Sequence, residues 1–267
     1  TGSLEGVWNT DSWKVGAKIL KESISETLLS YVGQKDPDNG SAWGRVVRKG
    51  VEASFEQGGD LVTSVRLGYY PSITGINTLS NSQTKGSVFV GKKVIDEPSA
   101  DFLVGPLLIA DRFERSTNHF TYGHGGYFSP TSFLLASLYG DYTHWLEKSA
   151  FFRLKGTVGF STFDESAEPR LPLSDPGGAF YASNSDSGFS ANLKGMAGYR
   201  LEDDLHLFGM FGWSEAPQYR SLMAGVSRGQ LGVPRARGRA GELSAEGVMA
   251  RRWSPTRPAR RTAGQVS

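Results

Sequence analysis

The chain has no cysteine, which excludes a disulfide framework and any thiolate-held metal. Histidine and methionine are scarce, at four residues each. No stretch approaches the roughly 18 apolar residues that a membrane-crossing helix requires. The opening residues, TGSLEGVWNTDSW, carry neither a basic flank nor an apolar run, so they do not read as a signal peptide. Glycine, by contrast, is abundant (34), and aromatic residues reach 12% against a hydrophobic content of only 38%. That mixture suits many strands and turns better than a helical bundle. At 267 residues the chain can hold one large β domain or two smaller ones.

Charge is unevenly placed. From Val233 onward there are eight arginines, two glutamates and no lysine, a local charge of +6. The whole chain carries +2, so residues 1–232 carry 2 − 6 = −4. The basicity therefore belongs to the C-terminal stretch, and a nucleic-acid-binding body is not supported. Two segments follow: a strand-rich region over 1–231, and an Arg/Ala/Pro-rich tail over 232–267 with no periodicity, expected to be disordered and to add no strand.

Within the first segment the dominant signal has period two. Leu61, Val65, Leu67 and Tyr69 alternate with Ser64, Arg66 and Gly68. Phe152, Leu154, Val158 and Phe160 alternate with Arg153, Lys155, Thr157 and Ser161. Along 189–201, Leu193, Ala197, Tyr199 and Leu201 share one parity, and Asn192, Lys194 and Arg200 the other. This is strand patterning, with about ten to twelve strands expected. Turn chemistry separates them at Lys35–Gly40, Gln57–Asp60 and Glu202–Asp204, while 164–188 reads as one extended polar loop. Long strands with short turns on one side and longer loops on the other suit an antiparallel transmembrane β-barrel. In a barrel the apolar parity faces lipid; in a sandwich it would be buried.

Motifs for chemistry are sought and not found. Gly86–Lys93 nearly spells a phosphate-binding loop, but Lys93 stands where a magnesium-binding hydroxyl belongs and Val88–Val90 reads as strand. His119 and His124 lie five apart with no further ligand in view. Asp36, Asp38 and Gly40 suit a turn better than a calcium loop, since the closing glutamate is missing. Adjacent acids such as Asp203 and Asp204 point to opposite faces of a strand and cannot form a glycosidase pair. No nucleophile elbow occurs. The sequence holds no catalytic residue, no cofactor motif and no metal site, so the chain is read as a non-enzyme.

Two longer stretches then acquire meaning. LLSYVGQKDPDNGSAWGRVVRKG (28–50) and FTYGHGGYFSP (120–130) resemble the C-terminal outer-membrane domain of the bacterial cellulose synthase operon protein C family. The resemblance covers residues 1 to about 231 and does not extend to the tail, where a closing strand would be expected. It implies an outer-membrane pore component of Gram-negative bacteria that exports cellulose, a β-1,4-glucan. Its partners would be the glucan polymer, outer-membrane lipid, and the periplasmic and inner-membrane components of the synthase, reached through an N-terminal repeat region absent here. Two alternatives stay open: an outer-membrane barrel enzyme, and a soluble β-sandwich carbohydrate-binding protein.

The two stretches supply the candidate glucan-path residues: Tyr31, Trp43, Arg45, Arg48, Tyr122, His124 and Tyr127. Sugar rings stack on aromatic faces, and their hydroxyls need polar partners. Strand parity sets Trp43 and Arg48 on opposite faces, and Arg48 is favoured as the inward one because Val47, Val51 and Phe55 look lipid-facing. Tyr127 and Phe128 are also expected to end a strand at the level of the membrane interface, with Gly123, Gly125 and Gly126 bending beside them and Pro130 stopping the pairing.

Overall fold

The computed structural model describes residues 1–37, 40–146, 149–202, 205–216 and 219–229; the tail from 232 to 267 lies outside them. The strands are β1 (Gly2–Asn9), β2 (Trp13–Ser23), β3 (Gln34–Lys35), β4 (Ala42–Gln57), β5 (Leu61–Ile76), β6 (Asn81–Glu97) and β7 (Ala100–Phe113). They continue as β8 (Ser132–Leu146), β9 (Ala150–Glu165), β10 (Glu168–Leu171), β11 (Asp175–Tyr181), β12 (Asn184–Glu202), β13 (Leu205–Ala216) and β14 (Tyr219–Gly229). Among the described residues one helix, α1 (Leu28–Val32), interrupts them.

All but β10 and β11 join a single sheet in the order β1-β2-β4-β5-β6-β7-β8-β9-β12-β13-β14, with β3 on the flank of β4. Every pairing in it is antiparallel. The sheet is not closed: β1 and β14 do not pair with each other among the described residues. Its central strands run from 14 to 19 residues. A tilted strand crosses a bilayer in about 9–11 residues, so these strands have several to spare.

The two ends of the sheet differ. At one end the connections 10–12, 58–60 and 98–99 are minimal. At the other, three connections of equal length, 24–41, 114–131 and 166–183, carry α1, β3 and the β10–β11 hairpin. The reading of 164–188 as one loop is thus corrected. The β9–β12 ladder continues to Asn184 opposite Glu165, and the residues between fold as a hairpin. These extensions pair polar residues on both faces, so no alternation betrayed them.

Burial inverts the usual arrangement of a soluble sheet. On β5 the apolar parity is the open one, with Leu67 59% and Tyr69 53% exposed, while Ser64, Gly68 and Tyr70 are buried. On β12, Leu193, Ala197 and Tyr199 are exposed, whereas Asn192 is buried and Lys194 half-buried; the side chains of Arg200 and Leu201 lie outside the described residues. On β9, Val158 and Phe160 are exposed and Thr157 and Ser161 buried. An apolar outer face with polar groups behind it is the parity of a sheet whose outer solvent is lipid. Aromatics gather on that face toward the short-turn end: Trp8 meets Trp13 edge-on at 5.2 Å, and Phe102, Tyr142, His144 and Phe152 form one connected group. Such a belt suits the bilayer–water interface.

The inner face is mixed. Glu22, Arg48, Glu52, Arg66, Lys85, Asp141 and Arg153 engage in ion pairs there. Between them, β5 to β8 carry an apolar cluster of Val62, Phe89, Leu107, Ile109, Leu135 and Tyr139.

Candidate functional site: a capped inner face

The three long connections converge on the upper inner face and form a cap. Thr27 starts it: its hydroxyl caps α1 through Ser30 N at 3.0 Å, and Ser30 Oγ reciprocally accepts from Thr27 N at 3.0 Å. The same Thr27 hydroxyl donates to the Gly126 carbonyl at 2.7 Å. Helix α1 thereby sets Leu29, wholly buried, against Gly126 of the 114–131 connection. Gly126 is required there. Its φ is +65°, and a Cβ would come within 2.6 Å of Leu29 Cδ2.

Tyr127 drives this connection inward. It packs with Leu20, Val46, Tyr70, Ile73 and Phe113 from β2, β4, β5 and β7. Asn81 Nδ2 donates to its hydroxyl at 3.1 Å, and burial pushes its pKa up to about 12. Phe128 N donates to Glu26 Oε2 at 2.8 Å, and Ser129 Oγ accepts from Thr117 N at 2.6 Å. Tyr127 and Phe128 therefore end no strand at the membrane interface, contrary to the expectation from sequence. They lie in the cap, where partners far along the chain bury Tyr127 to 2%.

The β10–β11 hairpin closes the third side. Thr121 Oγ1 donates to the Arg170 carbonyl at 2.7 Å, and Tyr181 Oη to Thr121 Oγ1 at 3.2 Å. His124, wholly buried, donates from Nε2 to the Pro169 carbonyl at 2.8 Å, while its Nδ1 has no partner among the described residues. His119 stacks on Tyr181 at 3.6 Å and meets His124 edge-on at 5.0 Å. Burial holds both histidines below their ordinary pKa, His119 down to about 4 with His124 adding to the effect. Among the described residues no group of three or more potential ligands gathers around them.

The seven candidate path residues fall into three settings. Arg48 faces inward from β4, paired with Glu22, 3.4 Å from Gln83 Oε1 and with its guanidinium 4.7 Å from the Tyr70 ring centre. Trp43, Tyr122, His124 and Tyr127 are parts of the cap and its seat, with the rings of Trp43 and Tyr122 6.2 Å apart. Arg45 and Tyr31 are exposed. Trp43 and Arg48 do not lie on opposite faces, contrary to the expectation from strand parity. A bulge between Gly44 and Val47, with φ of +92° at Gly44 and +51° at Arg45, breaks the alternation. Trp43 is buried and Arg48 inward on the same strand.

Several residues escaped the sequence reading. Gln83 bridges Arg48 to Asp111, donating to both carboxylate oxygens at 2.9 Å. Tyr70 donates to Glu52, which also pairs with Lys85 at 3.3 Å. Asp141 accepts from Arg153 at 2.8 and 2.6 Å. The alternation of Asn81, Gln83 and Lys85 along β6 was a usable signal for the first group. Nothing local marked Leu29 or Tyr181 as cap residues.

Comparison with known proteins agrees with this architecture. The family model for the cellulose synthase operon protein C C-terminus matches residues 2–228. "Cellulose synthase 2 operon protein C" of Komagataeibacter xylinus is 25% identical over 205 residues, covering 73% of this chain. "Cellulose synthase operon protein C" of Xanthomonas axonopodis pv. citri is 24% identical over 251 residues, covering 82%. The chain spans only 16% of the length of each of these relatives. A solved structure described as a bacterial polysaccharide outer membrane secretin superposes with a TM-score of 0.52 at 12% identity, covering 86% of this chain and 69% of that one. At that identity the likeness concerns the fold. The extent of the family match places the chain in the cellulose synthase operon protein C family, as its C-terminal region.

Proposed function

We propose that this chain is a wall segment of an outer-membrane pore through which cellulose, a β-1,4-glucan, leaves the cell, and that it catalyses no reaction. One observation carries the reading. Long up-and-down strands turn an apolar face outward and a mixed face of ion pairs, hydrogen-bonding groups and one apolar cluster inward, with the three long connections all at one end. A neutral, hydroxyl-rich polymer suits an inner face whose charges are engaged with one another, because weak contacts at many places permit passage and one strong site would arrest it. The non-catalytic part is supported by the inner carboxylates. Glu22, Glu52, Asp111 and Asp141 each have a hydrogen-bonding or cationic partner, an arrangement unlike two acids facing across a bond to be cleaved.

Arg48, Arg45, Trp43, Tyr31 and Tyr122 are proposed to meet the polymer. His124 and Tyr127 are proposed to act at the same place by holding the cap across it. The polymer and the remaining components of the synthase are the proposed partners, the latter reached through parts of the protein outside this chain. The test uses the full-length protein in a cellulose-producing strain, with Arg48→Ala and Tyr122→Ala scored for secreted cellulose. Heat-modifiable migration of the barrel serves as the folding control. Reduced export with normal migration supports the reading, and unchanged export in both variants removes these residues from the path.

A further inference from the structure

The outer face holds a feature that lipid exposure alone does not account for. A groove of about 550 Å³ opens on it where β1, β2, β4 and β5 lie side by side. Leu4, Ile19, Val51, Tyr69 and Pro71 line it, and almost nothing polar reaches its walls. β4 is bulged between Lys49 and Val51 at this point, and Gly50 lets β5 approach closely, since a Cβ there would come within 2.6 Å of the buried Tyr70 ring. At the long-connection end of the groove stand Lys21 and Lys49. They are direct cross-strand partners on the outward parity, both exposed, and neither has an ion pair or hydrogen bond among the described residues. Two ammonium groups opposite each other destabilise a strand pair, and the penalty grows where the bilayer lowers the dielectric. An anion between them reverses the sign.

We propose that this groove binds the phosphorylated glycolipid of the outer leaflet, with an acyl chain along Leu4, Ile19, Val51 and Tyr69 and a phosphate accepting from Lys21 and Lys49. The choice of leaflet follows from the end at which the lysines stand. Long connections of bacterial barrels face outward, and the lipid on that side carries phosphates on its sugar headgroup. The proposal rests on the outer-membrane reading above. Lys92 provides an internal control. It is exposed on the outward parity of β6, but in register with Leu61 and Val104 toward the short-turn end, away from the groove.

The experiment titrates detergent-solubilised full-length protein with bisphosphorylated lipid A, dephosphorylated lipid A and phosphatidylglycerol, reading bound lipid by native mass spectrometry. Each ammonium near a lipid surface is worth about fivefold, so the double variant K21Q/K49Q should weaken bisphosphorylated lipid A by about twenty- to thirtyfold. K92Q should leave it unchanged, and the dephosphorylated lipid should bind wild type as weakly as the double variant binds the intact one. Undiminished binding by K21Q/K49Q overturns the site. So does equal binding of the dephosphorylated lipid, and an equal loss for phosphatidylglycerol overturns the assignment to the glycolipid. Heat-modifiable migration and membrane fractionation are read on the same samples. A protein that is not a barrel of the outer membrane fails the functional reading itself, whereas a folded outer-membrane barrel without the lysine effect fails this proposal alone.

Discussion

The two ends of the sheet are built by different rules. At the short-turn end, Gln57-Gly58-Gly59-Asp60 carries the chain from β4 to β5 with residues that favour reversal, and the strands on either side pair without interruption from Val51 opposite Tyr69 to Gln57 opposite Thr63. Everything needed lies within a few residues. At the long-connection end, the Thr27 hydroxyl reaches Gly126, 99 positions away, Glu26 accepts from Phe128 across 102, and His124 meets Pro169 across 45. The first end is specified locally and the second by packing between distant segments. They should therefore fail independently, and each of the following experiments tries to break one without the other.

The largest expected effect falls on the cap. Leu29 is wholly enclosed by Gly44, Gly126 and their neighbours, so Leu29→Ala should cost about 2–5 kcal/mol of cap stability. Limited proteolysis of the solubilised full-length protein should then cut within 114–131, while the heat-modifiable band stays intact. Loss of the band as well would show that cap and wall fold as one unit.

The converse substitution strikes the wall. Leu193 lies outward in the middle of β12, and Leu193→Arg should impair assembly by about 2–4 kcal/mol if placed near the bilayer midplane. Its inward neighbour Asn192 donates to Ser214 Oγ at 2.5 Å, so Asn192→Ala should cost only about 1 kcal/mol. Equal loss of outer-membrane barrel in both variants would remove the assignment of faces.

The third experiment is pH. His119 and His124 are held below the ordinary 6.5, His119 down to about 4, because burial disfavours the imidazolium. The folded cap then binds fewer protons than the opened one, so its stability rises with pH. It is present in full above about 6.5 and falls away as pH drops from there through about 4. Glu168 acts on His124 and partly opposes its shift, while Arg170 lies over the Tyr181 ring on which His119 stacks. Protease sensitivity of 114–131 should rise over that window, with the short-turn end unaffected. A flat profile would detach the histidines from cap closure.

The smallest effect concerns the turn at 58–60. Doubling its length with polar residues should cost about 0.6 kcal/mol, below detection in assembly yield. A large loss there would mean that the short-turn end also depends on contacts beyond its own sequence.

What could be read from the sequence follows the same division. Leu61, Val65, Leu67 and Tyr69 announced the outward face of β5 because strand parity is a local property, and Leu193 and Tyr199 did so for β12. The reversals at Gln57–Asp60 and around Gly40 were legible for the same reason. The cap was not. Tyr127 has the composition of an interfacial aromatic, and only Asn81, Phe113 and Val46, brought in by other strands, make it a buried one. The β10–β11 hairpin was hidden because its polar, proline-containing strands alternate in nothing. Trp43 and Arg48 were set at odds because a bulge leaves no mark in a parity count.

The order of the sheet has a kinetic consequence. Apart from the small inserts β3, β10 and β11, each strand pairs with the one before it in the chain, so every ladder can zip onto a finished edge with little loop-closure entropy. The cap is the exception. Its contacts join residues about a hundred positions apart and need β2 through β7 in place before Tyr127 has a surface to enter. The cap must therefore form late in assembly, and it is the part that can reopen while the long strands of the wall stay paired.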